Sequence, residues 1–168
     1  PYGDDAPMNP LTPYGASKAE GEARVLAACP GAVAVRTSLL WDPDVMDRGT
    51  AGFAARLEAG LPCRLFTDEI RCPLTRQALA AALVDLVTLE HAGPLNVAGR
   101  EAVSRLDFGI LLMDHFGVAG LERIEPASSA AREAAGAPPR PLDVRLDVSR
   151  AETLLGRRMP GVRDVLVG

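Results

Sequence analysis

Tyr14 and Lys18 stand four residues apart, the spacing that places two side chains on one face of a helix. A free phenol has a pKa of about 10 and is a reluctant base at neutral pH. An ammonium about 5 Å away, in a site of effective dielectric ~20, stabilises the phenolate by roughly 3 kcal/mol, or about two pKa units. Such a phenol can pass a proton to or from a carbonyl or hydroxyl oxygen. The complementary half of that reaction is hydride transfer, for which a nicotinamide carries the chemistry. Lys18 is the one lysine beside 17 arginines. A chain that uses arginine for its other cations, yet has lysine here, points to a need for a compact charge on a flexible stem. The small residues Gly15, Ala16 and Ser17 leave room for another body to approach the pair.

Residues 1–11 are a Pro-, Asp- and Gly-rich loop. Thr12 and Pro13 supply an N-cap and a first-turn proline for a helix running to about Ala28, which Pro30-Gly31 stops. Ala32–Thr37 is a buried-strand candidate, and its carboxyl end, at Thr37 and Ser38, is where ligands bind in open α/β sheets. A helix at about Thr50–Ala59, a strand at Cys63–Phe66 and an irregular Thr67–Pro73 follow. Thr75 caps an apolar helix from Arg76 to about Leu89, and Leu95–Ala98 is another strand. Ser104 and Asp107 form a short-acid capping box for a helix to about Phe116. Residues 127–139 read as a surface segment with a helical turn or two, and Val144–Leu146 as a brief strand. Ser149 and Glu152 form a full capping box for a short helix ended by Gly156. This alternation predicts an α/β fold with mostly parallel strands.

With 168 residues and a net charge of −4, the chain fits one domain, and its longest basic run, Arg157-Arg158, argues against a nucleic-acid partner. No apolar run reaches the ~20 residues of a membrane span. The three cysteines, Cys29, Cys63 and Cys72, are too widely spaced for a zinc site or a disulfide framework. They read as small buried thiols in a reducing cytoplasm. Neither His91 nor His115 has a partner at ligand spacing, so no metal is expected. Asp4 and Asp5 read as solvated loop charges. The opening Pro1-Tyr2-Gly3 lacks an initiator Met, which predicts the C-terminal part of a longer protein.

The run Asn9-Pro10-Leu11-Thr12-Pro13-Tyr14-Gly15-Ala16-Ser17-Lys18-Ala19-Glu20-Gly21-Glu22, followed by Val35-Arg36-Thr37-Ser38, closely resembles the extended short-chain dehydrogenase/reductases. Within them it is most similar to the dTDP-4-dehydrorhamnose reductase (RmlD-like) branch, whose members are often described as sugar-nucleotide-binding proteins. Phe66–Leu74, Leu95–Gly99 with Ser104-Arg105, and Arg140-Pro141 with Leu146-Asp147 continue the likeness. The resemblance implies the C-terminal part of a Rossmann-type parallel-sheet fold with a small substrate-binding subdomain. Residues 1–45 would be a remnant of the dinucleotide-binding domain. Residues 46–168 would mainly bind substrate, with 94–98 as candidates to return to the main sheet.

The resemblance further implies reduction of a keto group on a nucleotide-linked sugar with NAD or NADP. Tyr14 would be the general acid/base. Lys18 would lower its pKa and hold the nicotinamide ribose hydroxyls, and Arg36, Thr37 and Ser38 would flank the nicotinamide. Leu39 and Trp41 would contact substrate. Arg71 and Arg140 would clamp its diphosphate, a task suited to guanidinium forks. Where this branch usually has Trp the chain has Leu39, and its Asp-Gln-x-Gly segment reads Asp68-Glu69-Ile70-Arg71, so the sugar stays open. The branch also resembles the regulatory subunit of methionine adenosyltransferase, which leaves a non-catalytic sugar-nucleotide- or dinucleotide-binding regulator as the alternative. The family's glycine-rich phosphate loop is not in this sequence, so the chain alone is expected to be inactive and to bind cofactor poorly. A homodimer stays open.

Overall fold

The computed structural model describes residues 1–166. Helix α1 (Pro13–Ala28) begins as the sequence predicts: extended Thr12 accepts the Gly15 N–H on its hydroxyl, and Pro13 takes the first helical position, where its missing N–H costs no bond. Strands β1 (Val33–Arg36) and β2 (Leu40–Trp41) follow. Helix α2 (Arg48–Glu58) starts before the expected Thr50 because Asp47 is its cap; the Asp47 carboxylate accepts the N–H groups of Gly49 and Thr50.

Strand β3 (Cys63–Phe66) lies where expected, whereas the segment read as irregular contains β4 (Ile70–Arg71) and leads into β5 (Leu74–Thr75). Thr75 caps α3 (Arg76–Leu86) through its hydroxyl, which accepts the Ala78 N–H. Then come β6 (Gly93–Asn96), β7 (Val103–Ser104) and α4 (Arg105–His115). Only half of the α4 capping box forms: Ser104 Oγ accepts the Asp107 N–H, but the Asp107 carboxylate accepts the Ser104 hydroxyl rather than its backbone N–H. A 3₁₀ turn at Leu121–Arg123 precedes β8 (Ile124–Ala127), α5 (Ser129–Ala134), α6 (Ser149–Leu155) and α7 (Val162–Leu166).

Two local expectations fail. Val144–Leu146 makes no strand, only single bridges of Leu146 to Tyr2 and of Asp143 to Ile70. The capping box of α6 does not form: Val148 occupies the cap position without a side-chain bond, and Glu152 instead accepts the Met159 N–H.

Among the described residues three strand pairings are parallel: β1 with β6, β2 with β5, and β3 with β8. The pairing of β4 with β7 is antiparallel. Strands joined through helices and paired mostly in parallel make this an α/β fold. In the β1–β6 register Val35 faces Leu95 and Arg36 faces Asn96. Among the described residues, apolar burial is divided among three clusters. One joins Leu74, Leu95, Val97, Ala82 and Ala151 beneath α3 and α6. A second gathers Trp41, Val103, Phe108, Leu112 and Val162. A third joins Ala54, Leu57, Cys63 and Met113 between α2 and α4. Helix α1 buries none of its residues, so it is tied to the molecule chiefly through polar side chains. No helix among the described residues is long and apolar enough to cross a membrane.

Candidate functional site

Tyr14 and Lys18 lie in the first turns of α1 and meet on its surface, with Lys18 Nζ over the phenol ring at 5.4 Å from the centroid. Tyr14 is 73% exposed, so the pair faces open space rather than a packed interior. The Thr12 cap fixes the first turn on which Tyr14 stands. Ser17 donates to the Tyr14 carbonyl. The room expected at Gly15 is partly filled by the chain itself: a Cβ there would come within 3.2 Å of Pro10. What remains available is the outer face of the helix, where the phenol oxygen and the ammonium are reachable together.

Arg36, at the end of β1, is committed to the protein. Its Nε and Nη2 donate to the two carboxylate oxygens of Glu22 at 3.0 and 2.7 Å. Its Nη1 donates to the carbonyls of Asp4 and Ala6. Glu22 raises the Arg36 pKa further through the side-chain bond, against the opposing effect of burial. The guanidinium therefore locks α1 and the entry loop onto β1. Thr37 is exposed, and Ser38 Oγ accepts the Cys72 N–H at 3.1 Å.

Trp41 is 3% exposed and packs edge-on against Phe108, with centroids 5.8 Å apart. With Leu39 it lines a cavity of about 130 Å³ between α2, β3 and α4. The walls are mainly apolar, including Phe53, Leu57, Phe108 and Met113, with Asp47, Thr50 and Arg105 as polar members. The indole Nε1 of Trp41 is buried without an acceptor.

Arg71 and Arg140 meet not at this cavity but on Glu69, a carboxylate only 4% exposed. Each guanidinium lies 3.5 Å from a Glu69 oxygen, and Ser129 donates to the same carboxylate at 2.7 Å. Arg71 also donates to the carbonyls of Ile70, Leu142 and Pro141, which pins the 141–142 segment to β4. Desolvation is the largest influence on Arg71 and lowers its pKa. Arg140 is more open and stacks over Phe66 at 5.8 Å.

Several residues that organise this region carry no local signal in the sequence. Asp4 is buried rather than solvated: it accepts the Asn96 N–H at 2.5 Å and pairs with Arg150 at 3.3 Å. Asn96 in turn donates to the carbonyls of Tyr2 and Asp147. Cys63 and Cys72 are buried as expected, whereas Cys29 is exposed; burial raises the pKa of the Cys72 thiol. Arg105 reaches the cavity where α4 packs against α2, elements far apart in the chain. The described residues contain no cluster of His, Cys, Asp and Glu fit for a metal ion.

The model of the RmlD substrate binding domain matches residues 1–167. The probable low-salt glycan biosynthesis reductase Agl14 of Haloferax volcanii is 31% identical over 94% of this chain and 53% of its own length. The methionine adenosyltransferase 2 subunit beta of Danio rerio is 27% identical over 92% of this chain and 49% of its own. The chain thus spans about half the length of the curated relatives it matches. Among solved structures, the Bordetella bronchiseptica enzyme WbmG, in complex with NAD and UDP, superposes with a TM-score of 0.73 at 27% identity, covering 98% of this chain and 51% of that one.

Proposed function

This chain belongs to the RmlD substrate binding domain family, and on that premise we propose that it supplies the proton-transfer pair and the substrate side of a nicotinamide-dependent reductase acting on a keto group of a nucleotide-linked sugar. The observation that carries the reading is the Lys18 ammonium lying over the Tyr14 ring on an open helix face. NAD or NADP would supply the hydride. Tyr14 Oη would deliver the proton to the carbonyl oxygen as it becomes a hydroxyl. Once a bound ligand excludes water from that face, the Lys18 charge favours the phenolate left behind, and the same ammonium can donate to ribose hydroxyls. Thr37, exposed at the end of β1, would flank the nicotinamide. Arg36 would act at one remove, by fixing α1 against β1.

The β1–β6 pairing supports grouping residues 1–45 with 94–98 on the cofactor side and most of the remainder on the substrate side. Within the latter, the cavity lined by Leu39 and Trp41 offers a place for part of the substrate, and Arg140 keeps donors free for its diphosphate. The unpaired cysteines support work in a reducing compartment.

Replacing Tyr14 by Phe in the intact protein is expected to lower turnover of a keto sugar nucleotide by at least about a hundredfold, with the circular dichroism spectrum unchanged. Turnover within a few-fold of wild type would remove Tyr14 as the acid and the reductase reading with it. A second reading, a non-catalytic dinucleotide- or sugar-nucleotide-binding regulator, is favoured by the similarity to the methionine adenosyltransferase 2 subunit beta. Cofactor binding without hydride transfer to any keto sugar nucleotide would select it.

A further inference from the structure

We propose that Glu69 is a specificity-determining residue of the substrate side: a resident anion that draws on Arg140 and weakens the hold of this region on a ligand as the ligand's negative charge grows. This rests on the reading that Arg140 meets the diphosphate of a nucleotide-linked ligand. Its first ground is the fit of the carboxylate. Glu69 is buried, and its oxygens face two guanidinium groups and one hydroxyl. Ser129 holds it at 2.7 Å, whereas Arg71 and Arg140 each stand off at 3.5 Å. Charge-assisted bonds close to about 2.7–2.9 Å, and Arg36 comes near this on Glu22 with two bonds at 3.0 and 2.7 Å. Glu69 thus gives the two arginines a counter-charge without a matched fork.

The second ground is which donors remain. Arg71 is spent on the carbonyls of Ile70, Leu142 and Pro141, which hold it with or without Glu69. Arg140 is placed otherwise. Its side chain is half-exposed, its guanidinium lies over Phe66, and it makes no side-chain hydrogen bond among the described residues other than the long one to Glu69. A guanidinium carries five N–H donors, so a parallel pair stays open to an anion from solvent.

The third ground is the balance of charge. Desolvation is the largest influence on Arg71, and Glu69 opposes it, ahead of the like charges of Arg105 and Arg140. Three guanidinium groups therefore gather around one buried carboxylate. Asp143, the other acid that bears on Arg71, is itself taken by Arg145. Positive charge gathered in this way attracts anions. A buried carboxylate in its midst is little screened by salt. It offsets part of that attraction and repels an anion arriving on the far side of Arg140. An uncharged ligand feels neither effect.

The test is calorimetric titration of the 168-residue protein, wild type and Glu69→Gln, with UDP and with uridine. Gln keeps the length of the side chain and an oxygen for Ser129 while removing the charge. UDP is expected to bind the variant at least about fivefold more tightly, and uridine to change by less than about twofold. A purely structural role predicts no gain, because damage weakens binding or leaves it alone. UDP bound equally or more weakly by the variant, or uridine gaining as much as UDP, would overturn the proposal. Glu69→Asp keeps the charge and is expected to bind UDP within about twofold of wild type; a gain matching that of Glu69→Gln would assign the effect to packing and overturn it. UDP that binds neither wild type nor Glu69→Gln would overturn it too, as would a Gln variant that fails to fold, which would make Glu69 a structural counter-ion. A protein that shows the expected gain for UDP yet reduces no keto sugar nucleotide would retain this role of Glu69 and lose the reductase reading.

Discussion

At position 36 one guanidinium makes four bonds, two to the Glu22 carboxylate and two to the carbonyls of Asp4 and Ala6, in a pair whose side chains are about four-fifths or more buried. Removing one partner of such a pair leaves the other charge desolvated and alone. Arg36→Ala is therefore expected to destabilise the protein by about 2–3 kcal/mol, lowering the melting temperature by roughly 5–10 °C. Arg36→Lys should recover little of this, because an ammonium cannot reproduce the planar fork; full recovery in a thermal melt would show that charge alone matters. The same residue shows where sequence reading reaches its limit. Arg36 follows a buried strand in a run that resembles a cofactor-flanking segment, and its type and position are legible. Which partner takes the guanidinium is not, since Glu22, Asp4 and Ala6 lie up to 32 residues away. Asp4 is the mirror case: nothing local separates it from the solvated Asp5, yet it receives the Asn96 N–H.

Elements in this molecule begin where side chains close them. Thr12, Asp47, Thr75 and Ser104 each accept an N–H from the first turn of the following helix, and three of the four are readable as caps from residue type and spacing alone. The short helix α5 is held from outside, by a residue 60 positions earlier. Asp68 accepts the N–H groups of Ala130 and Ser129 and the Ser128 hydroxyl, and these bonds, that of Ala130 foremost, pull its pKa down to about 2. A carboxyl whose folded pKa is depressed stabilises the fold above its ordinary value near 4 and loses that contribution as the pH falls towards 2. Asp68→Asn is expected to cost about 1 kcal/mol at pH 7, and the gap to wild type should close between about pH 4 and pH 2 in urea titrations. A gap unchanged at pH 2 would rule out the charge as its source. Close approach after β6 gives a second check. A Cβ at Gly99 would lie 1.9 Å from the Pro73 carbonyl oxygen, a backbone atom with no room to turn aside. Gly99→Ala is expected to destabilise by at least about 1–3 kcal/mol, and chemical denaturation measures it directly.

Across the described residues, apolar burial lies away from the Tyr14/Lys18 face: the three clusters sit among the strands other than β4 and helices α2–α4, α6 and α7, and α1 buries nothing. A dinucleotide would therefore meet this chain through an exposed helix face, with no glycine-rich loop in the sequence to take its phosphates. Calorimetric titration of the 168-residue chain with NAD is expected to give binding too weak to saturate; tight binding would mean that other residues of the chain hold the phosphates. The alternation of strands and helices, most of the caps, the spacing that puts Tyr14 and Lys18 on one helix face, and the family likeness are all legible along the chain, because each depends on residues near one another in it. That Arg36 and Arg71 are held by the protein, that Asp4 is buried, and that Trp41 and Arg105 share a cavity emerge only from the folded chain. Those outcomes depend on which distant carbonyls and carboxylates arrive beside each side chain, and a buried polar group is governed by its neighbours in space.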